Sequence, residues 1–287
     1  MTTVREALVE ATKRLAEVET PFLDATLLLA HTLGISKEKL LASYPDEIPL
    51  SAVNEFNNHL TKRISGYPVS YIRRKKEFFG LPFYVDEGVL VPRPDTETLV
   101  ETVLRDVDEG ALKNRGTEQT KVLDIGTGSG CIAITLKHLR PQLQLTAADI
   151  SPSSLSVCRI NTRHLLSEPI TLVESDLFTN ISDVYDIIVS NPPYLTSDEV
   201  RHMQHMHWPE PEGALDGGVD GLDTIRILID EALSYLRPGG RLYLEAGIDQ
   251  IETIEGLYKE GGYENIISYP DLSRRNRVVG GRKPYVE

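Results

Sequence analysis

Leu123-Asp124-Ile125-Gly126-Thr127-Gly128-Ser129-Gly130 carries an apolar strand, Val122 to Ile125, into a helix that the pattern predicts from Ser129 to Leu139. Three glycines within five positions let backbone N–H groups approach a ligand where side chains would stand in the way. The dinucleotide fingerprint reads G-x-G-x-x-G, whereas the spacing here is G-x-G-x-G, with Cys131 where the third glycine of that fingerprint falls. The turn therefore favours a nucleoside without a pyrophosphate. A glycine turn alone is a weak signal, and its weight comes from what surrounds it.

Downstream the chain alternates between strand and helix, as a parallel sheet wound by crossover helices requires. Strands are expected at Leu143 to Ala148, Ile170 to Glu174, Tyr185 to Val189 and Arg241 to Glu245. Helices are expected at Ser153 to Leu166, Asp223 to Leu236 and Asp249 to Glu260, with a long connection after Val189. The last two strand-like runs, Asn265 to Tyr269 and Arg277 to Gly280, have no helix between them, so they should pair antiparallel. The expected fold class is α/β, with a seven-stranded Rossmann-like sheet whose last strand is antiparallel.

In such sheets chemistry collects at the carboxyl ends of strands. Asp149 ends the second strand, where a carboxylate can accept hydrogen bonds from both ribose hydroxyls of a nucleoside, although Asp before Ile150-Ser151-Pro152 also fits a helix cap. Asp176-Leu177 follows the third strand. There Asp176 could accept from an adenine amino group and Leu177 cover the ring, or the pair could be an ordinary loop. The fourth strand runs out into Val189-Ser190-Asn191-Pro192-Pro193-Tyr194, where two prolines stop it. Asn191 offers a side-chain carbonyl, Pro192 a backbone carbonyl with no N–H beside it, and the Tyr194 ring a flat wall. That is a socket for a planar NH2 group, although an isolated Asn-Pro pair is also a common turn. All four signals fall on one edge of the sheet.

Ahead of the sheet, Thr2 to about Ile64 has helical periodicity, with Val4, Ala7, Leu8 and Ala11 at i, i+3, i+4 and i+7. Residues 1–75 are read as a helical domain of four or five short helices, and 76–96 as a β-hairpin linker. The sheet domain then spans 97–287. The linker ends in Val91-Pro92-Arg93-Pro94-Asp95-Thr96-Glu97, which places Arg93 near an active site or makes Asp95 or Thr96 a cap for a helix from Thr98 to Asp108. A polar spacer, Asp108 to Thr120, precedes the first strand.

The 287 residues are 40% hydrophobic, enough to bury a core, and the formal net charge of -13 argues against a protein that coats nucleic acid through a broad basic face. The basic runs Arg73-Arg74-Lys75-Lys76 and Arg274-Arg275 read as solvated surface or local docking features. Two cysteines, Cys131 and Cys158, without a CxxC pair or a histidine cluster, suggest neither a disulfide framework nor a metal site. No signal-peptide pattern opens the chain, and no apolar run reaches the ~18 residues that span a bilayer. A cytoplasmic, non-membrane monomer is expected.

Taken together, these motifs resemble the class I S-adenosylmethionine-dependent methyltransferases, and Asn191-Pro192-Pro193-Tyr194 is similar to the motif of their amino-group-methylating branch. Pro68-Val69-Ser70-Tyr71-Ile72, Glu77-Phe78-x-Gly80, Pro92 to Glu97, Asp124 to Gly130, Ala214-Leu215-Asp216-Gly217-Gly218 and Leu236-Arg237-Pro238-Gly239-Gly240 resemble the release-factor glutamine methyltransferases more closely still. The resemblance spans Pro68 to Arg282. It implies methyl transfer from S-adenosyl-L-methionine to the side-chain amide nitrogen of the glutamine in the Gly-Gly-Gln tip of a peptide-chain release factor, leaving S-adenosyl-L-homocysteine. It further implies that Gly126, Thr127, Gly128, Ser129, Gly130, Asp149, Leu177 and Asn191 contact the cofactor. Asn191, Pro192, Pro193 and Tyr194 would hold the glutamine, with Asn191, Pro192 and Tyr194 carrying catalysis and the helical domain recognising the release factor. Arg74 departs from the family, which usually has glycine there, and leaves the shape of that turn open. Rival expectations are an adenine-N6 DNA or RNA methyltransferase using the same socket on a flipped base, a nicotinamide-dependent oxidoreductase, and a non-catalytic cofactor-sensing module.

Overall fold

A computed structural model describes residues 2–109, 119–205 and 208–285. Most of the polar spacer expected at 108–120 therefore lies outside the described residues. The chain divides into two compact units, Met1–Lys75 with Met203–Pro209, and Lys76–His202 with Glu210–Glu287.

In the first unit, a two-residue strand β1 (Thr2–Thr3) leads into α1 (Val4–Arg14), followed by α2 (Pro21–Thr32), α3 (Lys37–Ala42), β2 (Glu47–Ile48), α4 (Leu50–Ile64) and α5 (Val69–Arg73). Thr3 caps α1 through a reciprocal box, its hydroxyl accepting from Glu6 N and its own N donating to Glu6 Oε2. The face of α1 read from the sequence is the buried one: Val4, Ala7, Leu8 and Ala11 join Leu28, Leu29, Leu40, Phe56 and Leu60 in one core. Asp24 and Arg63 close that core with a 2.6 Å ion pair. The β1–β2 pair was not expected from the sequence, because two residues a side are too few to show alternation. Arg74 ends α5 at φ 52°, ψ 33°, the left-handed conformation that glycine adopts without strain.

The second unit opens with a hairpin, β3 (Lys76–Phe78) and β4 (Leu81–Phe83), followed by α6 (Glu97–Glu109), β5 (Lys121–Ile125), α7 (Cys131–Leu139), β6 (Gln144–Asp149) and α8 (Pro152–Leu165). Then come β7 (Thr171–Glu174), β8 (Tyr185–Ser190), α9 (Ser197–His205), α10 (Asp223–Tyr235), β9 (Leu236–Glu245), α11 (Ile251–Glu260), β10 (Glu264–Pro270) and β11 (Asn276–Arg282). Seven of these strands form one sheet in the order β10-β11-β9-β8-β5-β6-β7. The pairs β9–β8, β8–β5, β5–β6 and β6–β7 are parallel, and β11 runs antiparallel to both neighbours.

Period-two alternation assigns the two faces. Leu123, Ile125, Ile188, Leu242 and Leu244 pack under α10 and α11, whereas Val122, Ile187, Val189 and Tyr243 pack under α6, α7 and α8. Every residue of β8 is buried, as expected of a central strand covered on both sides.

Several boundaries differ from the sequence reading for local reasons. α7 starts at Cys131, because Gly130 caps it at φ +82°. β9 starts at Leu236, pairing with Tyr185, and its Pro238-Gly239-Gly240 stretch is absorbed by a register shift. The hairpin ladder ends at Phe83; beyond it Tyr84 is pinned by Asn161, which accepts from Tyr84 N at 2.7 Å and donates to Tyr84 O at 2.9 Å. Within the long connection, α9 buries a single residue, Val200, and so leaves no apolar stripe in the sequence.

Candidate active site

The glycine turn begins where β5 stops. Gly126 N and Thr127 N both donate to Ala148 O, at 2.9 and 3.0 Å, folding the turn onto the neighbouring strand β6. Gly126 and Gly128 hold φ of +69° and +54°, open to glycine at no steric cost. Gly128 N donates to Asp149 Oδ2 at 2.8 Å and Ser151 N to Asp149 Oδ1 at 2.9 Å. Each oxygen of Asp149 thus carries one backbone donor and retains capacity for a second. Burial raises the pKa of this carboxyl, and the two backbone donors oppose that rise.

Beneath the turn lies Asp124, fully buried, whose Oδ2 accepts from Thr127 Oγ1 at 2.7 Å and Ala133 N at 3.2 Å. Among the described residues its Oδ1 meets no donor, and burial pushes its pKa up to about 7. Asp124 braces the turn from below.

After β7, Ser175 holds the next loop: its hydroxyl donates to Leu177 O at 2.8 Å and accepts from Asn180 N at 3.0 Å. This fixes Leu177 at φ +46°, a left-handed conformation that costs a leucine roughly 1–2 kcal/mol. Such strain is held where a side chain must be aimed. Asp176 is exposed beside it.

After β8, Ser190 Oγ donates to Ile125 O at 2.7 Å, tying the two central strand ends together. Asn191 Nδ2 donates to Thr96 Oγ1 at 3.1 Å, which turns its Oδ1 the other way. A backing loop supports the rest of the motif. Leu195 N donates to Leu215 O, Gly217 N to Leu195 O at 2.8 Å, and Gln250 Nε2 to Tyr194 O at 2.9 Å. A Cβ on Gly217 would come within 2.7 Å of Pro193 O and 2.6 Å of Gly221 O, so only glycine permits this approach. The Ala214 to Gly218 motif, given no task by the sequence, is this backing.

These pieces surround one cavity of about 550 Å³. Of the residues singled out from sequence, Gly126, Thr127, Gly128, Ser129, Asp149, Asp176, Leu177, Asn191, Pro192, Pro193 and Arg93 line it. Gly130 does not: its open side faces Cys158 and Ile134, where a Cβ would meet Cys158 Sγ at 2.6 Å, and its work is to start α7. Tyr194 is not among the lining residues either, and packs against the apolar cluster under α10 and α11. Burial, with the Glu245 carboxyl second, pushes its phenol up to about 12 and keeps it protonated. Arg93 is anchored, its Nη2 donating to buried Glu210 at 2.5 Å while Glu210 Oε1 accepts from Val91 N at 3.0 Å. Asp95 pairs with Arg277 at 2.9 Å instead of serving as the expected cap. Thr96, which the sequence offered only as a helix cap within the Pro92 to Glu97 run, lines the cavity, and Glu210 and Glu245, which carry no sequence motif of their own, belong to its surroundings. The last two could be found only by knowing which segments the fold brings together.

Cys131 and Cys158 are buried free thiols, each pushed up to about 12 by burial. Among the described residues no group of histidine, cysteine and carboxylate side chains is placed to hold a metal ion, and no helix is long and apolar enough to cross a membrane.

A parallel sheet closed by an antiparallel β11, with a glycine turn, two acids and an Asn-Pro-Pro-Tyr turn on one edge, defines the class I methyltransferase fold. Among solved structures it is similar to a methyltransferase from Pyrococcus furiosus (20% identical, TM-score 0.50, covering 73% of this chain and 92% of that one) and to the hMettl16 catalytic domain (16% identical, TM-score 0.57, covering 87% and 92%). Residues 105–207 match the model of the methyltransferase small domain, and residues 6–73 that of the PrmC N-terminal domain. The chain is 39% identical to the release factor glutamine methyltransferase of Moorella thermoacetica, over 96% of each chain, and 36% identical to that of Geobacter sulfurreducens, over 98% of this chain and 96% of the relative. The chain belongs to the release factor glutamine methyltransferases.

Proposed function

We propose that this protein transfers a methyl group from S-adenosylmethionine to the side-chain amide nitrogen of a release-factor glutamine, and that Asn191 and Pro192 hold that amide. The observation that carries the reading is the orientation of Asn191: with Nδ2 given to Thr96, Oδ1 remains as an acceptor at a cavity that Pro192 also lines.

The cavity suits the cofactor. An added Cβ at Gly128 would meet no atom within 4 Å, so the space beside the turn is open to a ligand. The spare acceptor capacity of Asp149 matches a ribose diol, Leu177 offers an apolar face for a purine, and Asp176 an acceptor for its amino group. S-adenosylmethionine would supply a methyl carbon made electrophilic by the adjoining sulfonium.

The chain's own task is the nucleophile. An amide nitrogen is a poor one because its lone pair is conjugated with the carbonyl. Asn191 Oδ1 and Pro192 O, each accepting one N–H, favour pyramidal nitrogen, aim its lone pair into the cavity and stabilise the positive charge that grows there. Tyr194, neutral and braced by Gln250 through its backbone carbonyl, packs under the turn and sets its shape. The helical unit is read as the part that recognises the release factor. A cytoplasmic monomer without bound nucleic acid is the state proposed for the whole.

Labelled-methyl transfer to an intact release factor tests the reading. Transfer to the glutamine of the Gly-Gly-Gln tip is expected, with none to a factor carrying Gln→Glu there, because a carboxylate would face two acceptors with nothing to donate. Equal labelling of the two factors would overturn it.

A further inference from the structure

Resting on the reading of this cavity as the cofactor's, we propose that Asn161 is a positioning residue. It ties the linker wall of the cavity to the glycine turn and so presets the space that S-adenosylmethionine fills.

Two segments far apart in the chain wall this space. The glycine turn supplies Gly126, Thr127, Gly128 and Ser129, and the linker supplies Glu87, Gly88 and Leu90. Neither segment belongs to a strand or a helix, so no ladder holds one against the other. Asn161 does so. It stands on α8 and is 1% exposed. Its Oδ1 accepts from Tyr84 N at 2.7 Å, and its Nδ2 donates to Tyr84 O at 2.9 Å and to Ser129 O at 2.9 Å. The amide thus meets Tyr84 as a neighbouring strand would, donating and accepting across one residue, and gives its remaining proton to the turn. The Ser129 carbonyl is open to it because Ala133 N, the helical donor four residues on, goes to Asp124 Oδ2. A reversed amide would set its NH2 against an N–H and its oxygen against two carbonyls, so one orientation is allowed.

Further contacts carry this grip along the linker. Ser154 lies seven residues before Asn161, two turns and about 10 Å along the same face of α8. Its Oγ donates to Gly88 O at 3.1 Å. Asp86 closes the intervening turn, accepting from the Tyr84 hydroxyl at 3.1 Å and from Gly88 N at 3.0 Å. The far end of the linker is held separately, by Glu210 accepting from Val91 N and Arg93 Nη2. Loss of Asn161 therefore loosens the wall that meets the cofactor and leaves the end that leads to Thr96 and Asn191 in place. A wall already in its bound position need not be ordered when the ligand arrives, and that ordering is where affinity is otherwise lost.

The test compares Asn161→Ala, Asn161→Asp and, as a control for lost stability alone, Ile254→Val, which is buried in α11 and does not line the cavity. Asn161→Asp keeps the acceptor for Tyr84 N and loses both donors. In calorimetry on the full chain, both Asn161 variants should bind S-adenosylhomocysteine ~10-fold more weakly than wild type, the scale of one or two buried hydrogen bonds. The control should bind within about 2-fold of wild type, as a distant, independent site does. Amide hydrogen exchange across residues 84–91 of the unliganded chain should quicken in Asn161→Ala and stay unchanged in the control. At saturating S-adenosylmethionine, kcat on an intact release factor should stay within about 3-fold of wild type, the loss falling on the cofactor KM. Unchanged cofactor affinity in the Asn161 variants, an equal loss in Ile254→Val, or a fall in kcat with KM unchanged would overturn the proposal. If neither Asn161 variant folds, exchange in wild type decides: S-adenosylhomocysteine should slow residues 84–91 and 126–130 together, and protection of the turn without the linker would refute the tie. Failure of the wild-type chain to bind S-adenosylhomocysteine at all would instead refute the reading of the cavity on which the proposal rests.

Discussion

At the scale of single residues, Asn191 and Asp124 are put to different uses by burial and partners. Asn191 stands half-buried at the cavity with one end engaged, and Asn191→Ala should lower kcat by ~100-fold or more, as loss of one preorganised acceptor does. Steady-state methyl transfer, with S-adenosylhomocysteine titration as the control for an intact cavity, checks this. Asp124 is wholly enclosed, and its pKa of about 7 lies above the ordinary carboxylate value. A carboxyl raised on folding binds its proton more tightly in the native state, so its stabilising contribution is complete below the unfolded value near 3.8 and is lost as pH rises through 7. Between pH 5 and 8 the melting temperature of wild type should therefore fall relative to that of Asp124→Asn. A pair of parallel melting curves would refute this. The sequence made Asn191 legible because two prolines end the strand there, and Asp149 because it stands at the next strand end. Thr96 stood in the quoted Pro92 to Glu97 run, but its contact with Asn191 was illegible because 95 residues separate the two partners.

At the scale of elements, β5 and β8 were readable as apolar runs because central parallel strands are buried on both faces. Their ends were readable because glycine and proline punctuate them. Gly130 is the instructive case. The sequence grouped it with the ligand-binding glycines, yet its φ of +82° and the Cys158 sulfur beside it make it the hinge between turn and helix. Gly130→Ala should destabilise the fold by roughly 2 kcal/mol or more, combining backbone strain with overpacking, measurable by urea denaturation. Arg74 raises the opposite question, since a left-handed helix end is occupied by a long side chain. Arg74→Gly and Arg74→Ala both remove the guanidinium, so the difference between them isolates the backbone. The glycine variant should be more stable than the alanine variant by about 0.5–1 kcal/mol. Equal stability would show that the left-handed turn carries no strain.

At the scale of the whole molecule, the residues lining the cavity all fall between Glu87 and Ile227 within the sheet-containing unit. A chain starting at Lys76 should therefore keep S-adenosylhomocysteine binding within about tenfold of the full chain, an affinity loss of up to ~1.4 kcal/mol. Its methyl transfer to a release factor should fall mainly through kcat/KM, if the helical unit is what recognises that partner. Calorimetry and competition kinetics on the two lengths separate these expectations. A change from helical to strand-like periodicity near residue 75 is visible in the sequence. The grouping of Met203–Pro209 with the first unit is not, because a return of seven residues has no period to read.

The position of β11 also bears on how the protein is made. Among the described strands it is the last to leave the ribosome, yet it sits between β9 and β10 and bonds to both. Until Asn276–Arg282 emerges from the exit tunnel, the nascent sheet presents the bare hydrogen-bonding edge of β9, and β10 has no ladder to join. A premature stop just before Asn276 would thus cost two strands for the loss of one, and nascent chains stalled there should be strong clients for chaperones.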